Sequence, residues 1–265
     1  MDALAQFKET QRKSWAHFAP LEALTTPAAA RLVRHAGVQT GQRVLDVACG
    51  TGVVAVTAAR RGARATGLDL TPELLARARE NAQIAEVEID FHEGDAEELP
   101  FPNGAFDVVL SEFGHMFAPR PEVALAEMLR VLKPGGTIAF STWPPEMTIG
   151  RMFALVARYL PPPPMPMPPP PLWGEPQVIR ERLGASVRDI VFAREVMAVP
   201  ALSPQHNRLM TEQTAGPILR VVEMLRDSDP ERLAQFRREF DAITNDYFGE
   251  NVVRQDYLMT RATKV

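Results

Sequence analysis

The chain has 265 residues, 46% of them hydrophobic and 23% charged, with 29 basic side chains against 33 acidic ones and a formal net charge of −4. That is the length and composition of an ordinary globular chain, enough for one large α/β domain or one domain with an insertion. No long basic run is present, so a nucleic-acid partner is not expected. The single cysteine, Cys49, excludes an internal disulfide framework and a cysteine-only metal site, and no metal is expected. The N-terminal residues contain no apolar leader core, and no stretch nears ~20 unbroken apolar residues. The expected location is therefore the cytoplasm, with no membrane span.

Along the chain, Arg43-Val44-Leu45-Asp46-Val47-Ala48 is a short apolar run ending at Cys49-Gly50-Thr51-Gly52, which predicts a buried strand followed by a turn. An Ala- and Val-rich helix over 53–61 and a second strand over 64–69 follow. Thr71-Pro72-Glu73 reads as a helix start, a capping hydroxyl followed by proline at the first helical position. That helix is expected to reach about Asn81. The alternation over 87–92 predicts a third strand, and Phe106–Leu110, after the Asn103-Gly104 turn, a fourth. Leu125, Met128, Leu129 and Leu132 mark an amphipathic helix. Lys133-Pro134-Gly135-Gly136 should stop it, before a fifth strand over 137–142. Strands alternating with helices over 43–142 predict a parallel, doubly wound sheet.

The second half differs in character. Ile149, Met152, Phe153, Val156 and Leu160 share a helix face. Residues 161–171 hold nine prolines and two methionines, a tract that excludes helix and central strand and predicts a stiff polyproline II spacer. A sixth strand is expected over 186–199 and two or three helices over 204–248, with Leu233, Phe236, Phe240 and Ile243 on one face. Tyr257–Arg261 reads as a last, edge strand.

One constellation carries chemistry. A glycine-rich turn between strand and helix lets a ligand approach bare backbone, and the helix N-terminus favours negative charge there. Asp69 closes the next strand 19 residues after Gly50, where a carboxylate can accept from both ribose hydroxyls of an adenosine ligand. Gly50-x-Gly52-x-x-Ala55 with Asp69 also fits a dinucleotide fingerprint. Further segments separate the two readings: Asp46, four residues before Gly50; Glu93-Gly94-Asp95-Ala96 through Phe101; Phe106-Asp107-Val108-Val109; and Leu132-Lys133-Pro134-Gly135-Gly136.

In order and spacing these segments, over roughly residues 40–145, resemble the class I S-adenosylmethionine-dependent methyltransferases, especially the type 11 domains similar to ubiquinone and menaquinone biosynthesis methyltransferases. A looser resemblance to bacterial methyltransferases continues through Trp143–Glu146, Ile149–Phe153, the proline tract and Leu172-Trp173-Gly174. The resemblance implies an α/β fold with a seven-stranded, doubly wound, mostly parallel, Rossmann-like sheet. It also implies an N-terminal helical cap (1–40), a cofactor-binding core (41–145), and a stretch (146–265) of substrate-covering helices, proline-rich segment and last strands in the same domain. The implied cofactor is S-adenosyl-L-methionine, with S-adenosyl-L-homocysteine as product.

Carried over residue by residue, Gly50 and Gly52 lie under the methionine part of the cofactor, lined by Asp46 and Ala48. Asp69 holds the ribose, Leu70 packs on the adenine, Asp95 accepts from the adenine amino group and the Ala96 backbone reads the ring edge. Ser111 faces the methyl region, and Trp15 matches an N-terminal aromatic that caps the cofactor. The expected activity is methyl transfer by in-line displacement to a small, apolar or aromatic acceptor. If a base is needed, His115 is the candidate, with Glu112 an outside one. The competing readings are a non-catalytic S-adenosylmethionine-binding module and a nicotinamide-dependent oxidoreductase; no Tyr-x-x-x-Lys pair supports the latter. A monomer and a homodimer fit the sequence equally.

Overall fold

The computed structural model describes residues 3–163 and 165–265. Its strands are β1 (Arg43–Val47), β2 (Arg64–Asp69), β3 (Asp90–Glu93), β4 (Phe106–Glu112), β5 (Leu132–Thr142), β6 (Val187–Pro200), β7 (Phe248–Gly249) and β8 (Val252–Lys264). Its helices are α1 (Ala3–Trp15), α2 (Glu22–Ala36), α3 (Val53–Arg60), α4 (Pro72–Ile84), α5 (Pro121–Val131), α6 (Thr148–Tyr159), α7 (Pro176–Leu183), α8 (Pro204–Thr214), α9 (Gly216–Leu225) and α10 (Pro230–Asn245).

Pairing runs β3-β2-β1-β4-β5-β8-β6, with the short β7 alongside β8. The β3, β2, β1, β4 and β5 ladders are parallel, and β8 runs antiparallel to both β5 and β6. Strand order therefore reverses beside β1, and the carboxyl ends of β1 and β4 open the crevice where such sheets take ligands. Val44, Leu45, Val47, Val108, Val109, Leu110, Ile138, Ala139 and Phe140 are essentially inaccessible, as parallel strands covered on both faces require.

The structure corrects several local expectations. Tyr257–Thr260 is not at an edge: β8 is interior, flanked by β5 and β6, and its unbroken burial from Asp256 to Thr260 is the mark of a strand covered on both sides. The third strand starts at Asp90 rather than 87. Helix α5 ends at Val131, and Lys133–Gly136 lies within β5 instead of between elements, where the β4–β5 register shifts. Thr71 precedes α4 with extended backbone but makes no side-chain cap; its N–H donates instead to Asp69. Within the proline tract Pro169 has φ −57° and ψ 132°, the polyproline II region, and Pro170–Gly174 is a 3₁₀ turn. Pro164 and, at the N-terminus, Met1 and Asp2 lie outside the described residues.

Helices α6, α9 and α10 build a second apolar cluster from Met152, Leu155, Val156, Val221, Phe236 and Phe240. Helix α8 is tied to α10 by charge. Glu212 accepts from Arg237 at 2.8 Å and Arg208 at 2.9 Å, and Arg208 also reaches Asp241 at 2.9 Å.

This helical layer is pinned to the sheet by close backbone contacts. A Cβ on Gly150 would lie 2.2 Å from the Pro144 carbonyl oxygen, and one on Gly174 2.3 Å from that of Trp143. The Trp143-Pro144-Pro145 segment thus passes between two bare glycines, which explains why Ile149-Gly150 and Trp173-Gly174 stand out so far from the glycine-rich turn.

In an ordinary helix Gly→Ala stabilises by up to about 1 kcal/mol. Here Gly150→Ala forces the added methyl against proline backbone and is expected to destabilise by about 1–3 kcal/mol, the usual cost of overpacking. Urea unfolding measures it; a variant as stable as the parent contradicts the packing described.

Candidate active site

The β1–α3 turn is shaped by left-handed backbone at Ala48 (φ 54°), Gly50 (φ 53°) and Gly52 (φ 78°). A Cβ on Gly50 would meet no atom within 4 Å, so its bare edge faces open space. Gly52 has a different reason to be glycine: a Cβ there would lie 3.0 Å from the Ala78 methyl and 3.1 Å from the Phe91 ring. Its backbone starts α3 while its bare face packs on β3 and α4.

Around this turn lies a cavity of about 310 Å³ at the carboxyl ends of the strands. Asp46, Ala48, Gly50, Asp69, Leu70, Asp95, Ala96 and Trp15 all line it; Gly52, Ser111 and His115 do not. Asp69 is the best-held group. Its Oδ2 accepts the Gly50 N–H at 2.7 Å and its Oδ1 the Thr71 N–H at 2.8 Å. Each oxygen keeps lone-pair capacity for a further donor. Burial raises its pKa while these backbone donors lower it.

Asp46 is almost wholly buried; Oδ2 accepts the Ala55 N–H at 3.1 Å and Oδ1 has no partner. Desolvation, with Asp69 nearby, raises its pKa well above its ordinary value. Asp95 accepts the Glu97 N–H at 2.8 Å and is salt-bridged at 2.5 Å to Lys8 of α1, which also reaches Glu97 at 2.6 Å.

Ser111 and His115 are turned away from the cavity. Ser111 Oγ donates to the Val47 carbonyl at 2.7 Å and accepts the His115 N–H at 3.1 Å, binding the ends of β1 and β4 together. The His115 ring is buried between Phe140 and Trp173, with centroids at 4.7 and 4.8 Å. Both its nitrogens lack partners, and burial together with the Arg182 charge pushes its pKa down to about 3. The short 3₁₀ turn at His115–Phe117 folds the ring back toward β5. Cys49 is buried, and its thiol pKa is driven up by desolvation, as for an inert filler.

The residue that faces the cavity from the end of β4 is Glu112. Both its oxygens are shielded from solvent and neither has a hydrogen-bond partner. Burial, with Asp46 as a like charge, raises its pKa well above the usual value. Beyond it the wall becomes aromatic and aliphatic. Phe113, itself at φ 60°, stacks on Trp143 at 3.9 Å, and Phe117 contacts both Phe153 (5.5 Å) and Trp15 (4.7 Å). A Cβ on Gly114 would lie 2.5 Å from the Ala48 methyl, so only glycine lets this loop close over the β1 turn. Lys8 and the stacked pair went unnoticed in the sequence, where no local pattern links them to the strand ends.

The chain is similar to known proteins. Residues 45–140 match the methyltransferase domain family. The chain is 36% identical over 259 residues to an uncharacterised protein of Mycobacterium tuberculosis, covering 96% of this chain and 94% of that one. It is 44% identical over 106 residues to the demethylmenaquinone methyltransferase of Thermus thermophilus, a match covering 39% of this chain and 48% of that one. Among solved structures, a putative methyltransferase from Bacillus halodurans superposes with a TM-score of 0.58 at 18% identity, over 89% of this chain and 98% of that one. The chain belongs to one family with the mycobacterial protein, and its residues 45–140 are of the methyltransferase class. The likeness to the mycobacterial protein runs nearly end to end, whereas that to the menaquinone enzyme spans 39% of the chain.

Glu112 has a consequence for stability. A carboxyl whose folded pKa is raised holds its proton more tightly in the native state, so its contribution falls as pH rises above the unfolded value. Asp46 is the like charge that reinforces this penalty. Glu112→Gln is therefore expected to raise the thermal midpoint of the ligand-free protein, and by more at pH 8 than at pH 5. An equal shift at both values, read by scanning calorimetry, contradicts a buried, proton-holding carboxyl.

Proposed function

We propose that this cavity binds S-adenosylmethionine across the strand ends and that the protein transfers the methyl group to a small, apolar or aromatic molecule held beneath α6, α8 and α9. The observation that carries the reading is the set of cavity-lining carboxylates, Asp46, Asp69 and Asp95, around a left-handed glycine turn whose cavity continues into an apolar chamber. The donors fit the group. Asp69 has spare acceptor capacity for ribose hydroxyls, the unpartnered Asp46 Oδ1 awaits a donor or cation, and bare backbone at Gly50 admits close approach.

In this reading Asp95 and the backbone of Ala96 hold the adenine end, with Leu70 against the ring. Trp15, on α1, closes the cavity from above, stacked near Phe117. When bound, the cofactor supplies an activated methyl on a sulfonium for in-line displacement. The protein's part is position: Gly114 and Phe113 press the end of β4 over the turn, and orientation at near-attack geometry is worth up to about 7–11 kcal/mol. Water is kept out by Trp143, Phe153 and Met152. Ser111 and His115 take structural roles, as their hydrogen bonds and ring contacts support.

Isothermal titration with S-adenosylhomocysteine, using NAD and NADP as controls, tests the reading. Binding of the first and neither nicotinamide is expected. Asp69→Ala, which removes a buried acceptor, should weaken it by about 10–100-fold. An unchanged affinity in that variant, or a preference for NAD, overturns the assignment.

A further inference from the structure

The cavity is strongly asymmetric in charge. Among the described residues lining it, the charged ones are Lys8, Asp46, Asp69, Asp95 and Glu112. The single cation, Lys8, is already engaged by Asp95 and Glu97 at the adenine end. Nothing cationic faces the apolar chamber. At its junction with the cofactor turn stands Glu112, a half-buried residue whose two carboxyl oxygens are both shielded from solvent and not hydrogen-bonded, while its own backbone is fixed by the β4–β5 ladder. An unpaired carboxyl buried this way has a cost that a purely structural residue at the same place would avoid. Deeper in, Asn207 of α8 is 3% exposed, lines the same chamber, and has a side-chain oxygen with no partner. Among the described residues no cation faces this space, and its other polar groups, Thr148, Asn207, Thr211 and Gln255, are neutral, so no counter-charge awaits an anion.

Resting on the cofactor reading above, we propose that Glu112 selects the methyl acceptor by charge: the chamber takes apolar molecules whose reactive group is a neutral or cationic hydrogen-bond donor, a hydroxyl, phenol or amine, and rejects carboxylates. Burial favours protonated Glu112 in the ligand-free protein. A donor O–H or N–H stabilises the carboxylate, whose proton leaves to solvent, and this points the lone pair of a neutral oxygen or nitrogen toward the cofactor end. An ammonium group first passes one N–H proton to the carboxylate and so frees its lone pair. A carboxylate acceptor would have to be buried against Glu112 and Asp46 with no counter-charge, which disfavours it strongly. Asn207 accepts a second donor where the molecule carries one.

The test uses protein saturated with S-adenosylhomocysteine and three matched probes titrated near pH 7: para-hexylphenol (neutral), para-hexylbenzylamine (cationic) and para-hexylbenzoate (anionic). The phenol and the amine are expected to bind at least about tenfold more tightly than the benzoate. Glu112→Gln keeps the shape, removes the charge, and should narrow that ratio to about threefold or less while leaving the S-adenosylhomocysteine affinity unchanged. Benzoate binding on a par with the phenol in the parent overturns the proposal. So does a discrimination that survives Glu112→Gln, or a failure of all three probes to bind the loaded protein. Loss of S-adenosylhomocysteine affinity in Glu112→Gln reassigns the carboxylate to the cofactor and equally overturns it. If the parent does not bind S-adenosylhomocysteine, the cofactor reading itself has failed, and that is seen before any probe is added.

Discussion

The site is organised around one carboxylate. Asp69 ends β2, yet its oxygens accept the N–H groups of Gly50 in the β1 turn and of Thr71 ahead of α4. Those two bonds lock the turn after β1 to the end of β2, and they hold in place the left-handed backbone at Ala48 and Gly50 that leaves a bare edge to the cavity. A buried carboxylate is tolerable only with such donors. The same constraint explains why Thr71 does not cap α4: its hydroxyl, like its N–H, is turned to Asp69. Neighbouring Asp46 has one such donor and Glu112 none, so partner supply declines from β2 across β1 to β4. The unmet capacity accumulates at the end of the crevice where the chemistry is proposed, a common way for a functional site to hold energy that packing elsewhere compensates.

The covering layer is attached by two different kinds of interaction. Helices α6, α9 and α10 have a core of their own and are keyed to the sheet by backbone passing against Gly150 and Gly174. Helix α1 has no buried residue at all. Its hold combines the site, Lys8 on Asp95 and Glu97 and Trp15 on Phe117, with a close approach to α9, where a Cβ on Gly216 would lie 2.5 Å from the Ser14 carbonyl oxygen. An element with few buried apolar contacts belongs to the low-stability end of a structure. A ligand that draws on Asp95 therefore competes with Lys8 and acts on the hold of α1 as well as on the crevice.

Much of the core was legible because its signals are local. The turn from Asp46 to Gly52, the apolar run of β2 ending in Asp69 and the amphipathic face of α10 each lie within one element. What failed to read is what depends on pairing. Tyr257–Arg261 has the composition of any β strand, and only its burial between β5 and β6 makes it interior. His115 lies in the right loop, but a single 3₁₀ turn carries its ring to the far side of β4, and three residues earlier Glu112 points into the cavity. Periodicity does not resolve which way a loop side chain turns, because the answer is set by the left-handed Phe113 and by Gly114 pressed on Ala48. Lys8 was invisible for the same reason: its partners are 87 and 89 residues away.

The two ends of the cavity also differ in how far the fold dictates them. At the end around Asp69 and Asp95, polar groups lie on strand ends and on backbone that the sheet positions directly, so their placement travels with the fold. At the other end, shape comes from α6, α8 and α9, where apolar residues serve the helices' own packing and the cavity wall alike. Most of them carry no chemical instruction beyond excluding water. The exceptions are the few polar atoms that packing alone would have replaced with hydrocarbon, since an isosteric apolar substitute removes the desolvation cost entirely. Glu112 and Asn207 remain despite that cost. It is on such positions, rather than on the larger apolar surface around them, that the proposed selection of an acceptor rests.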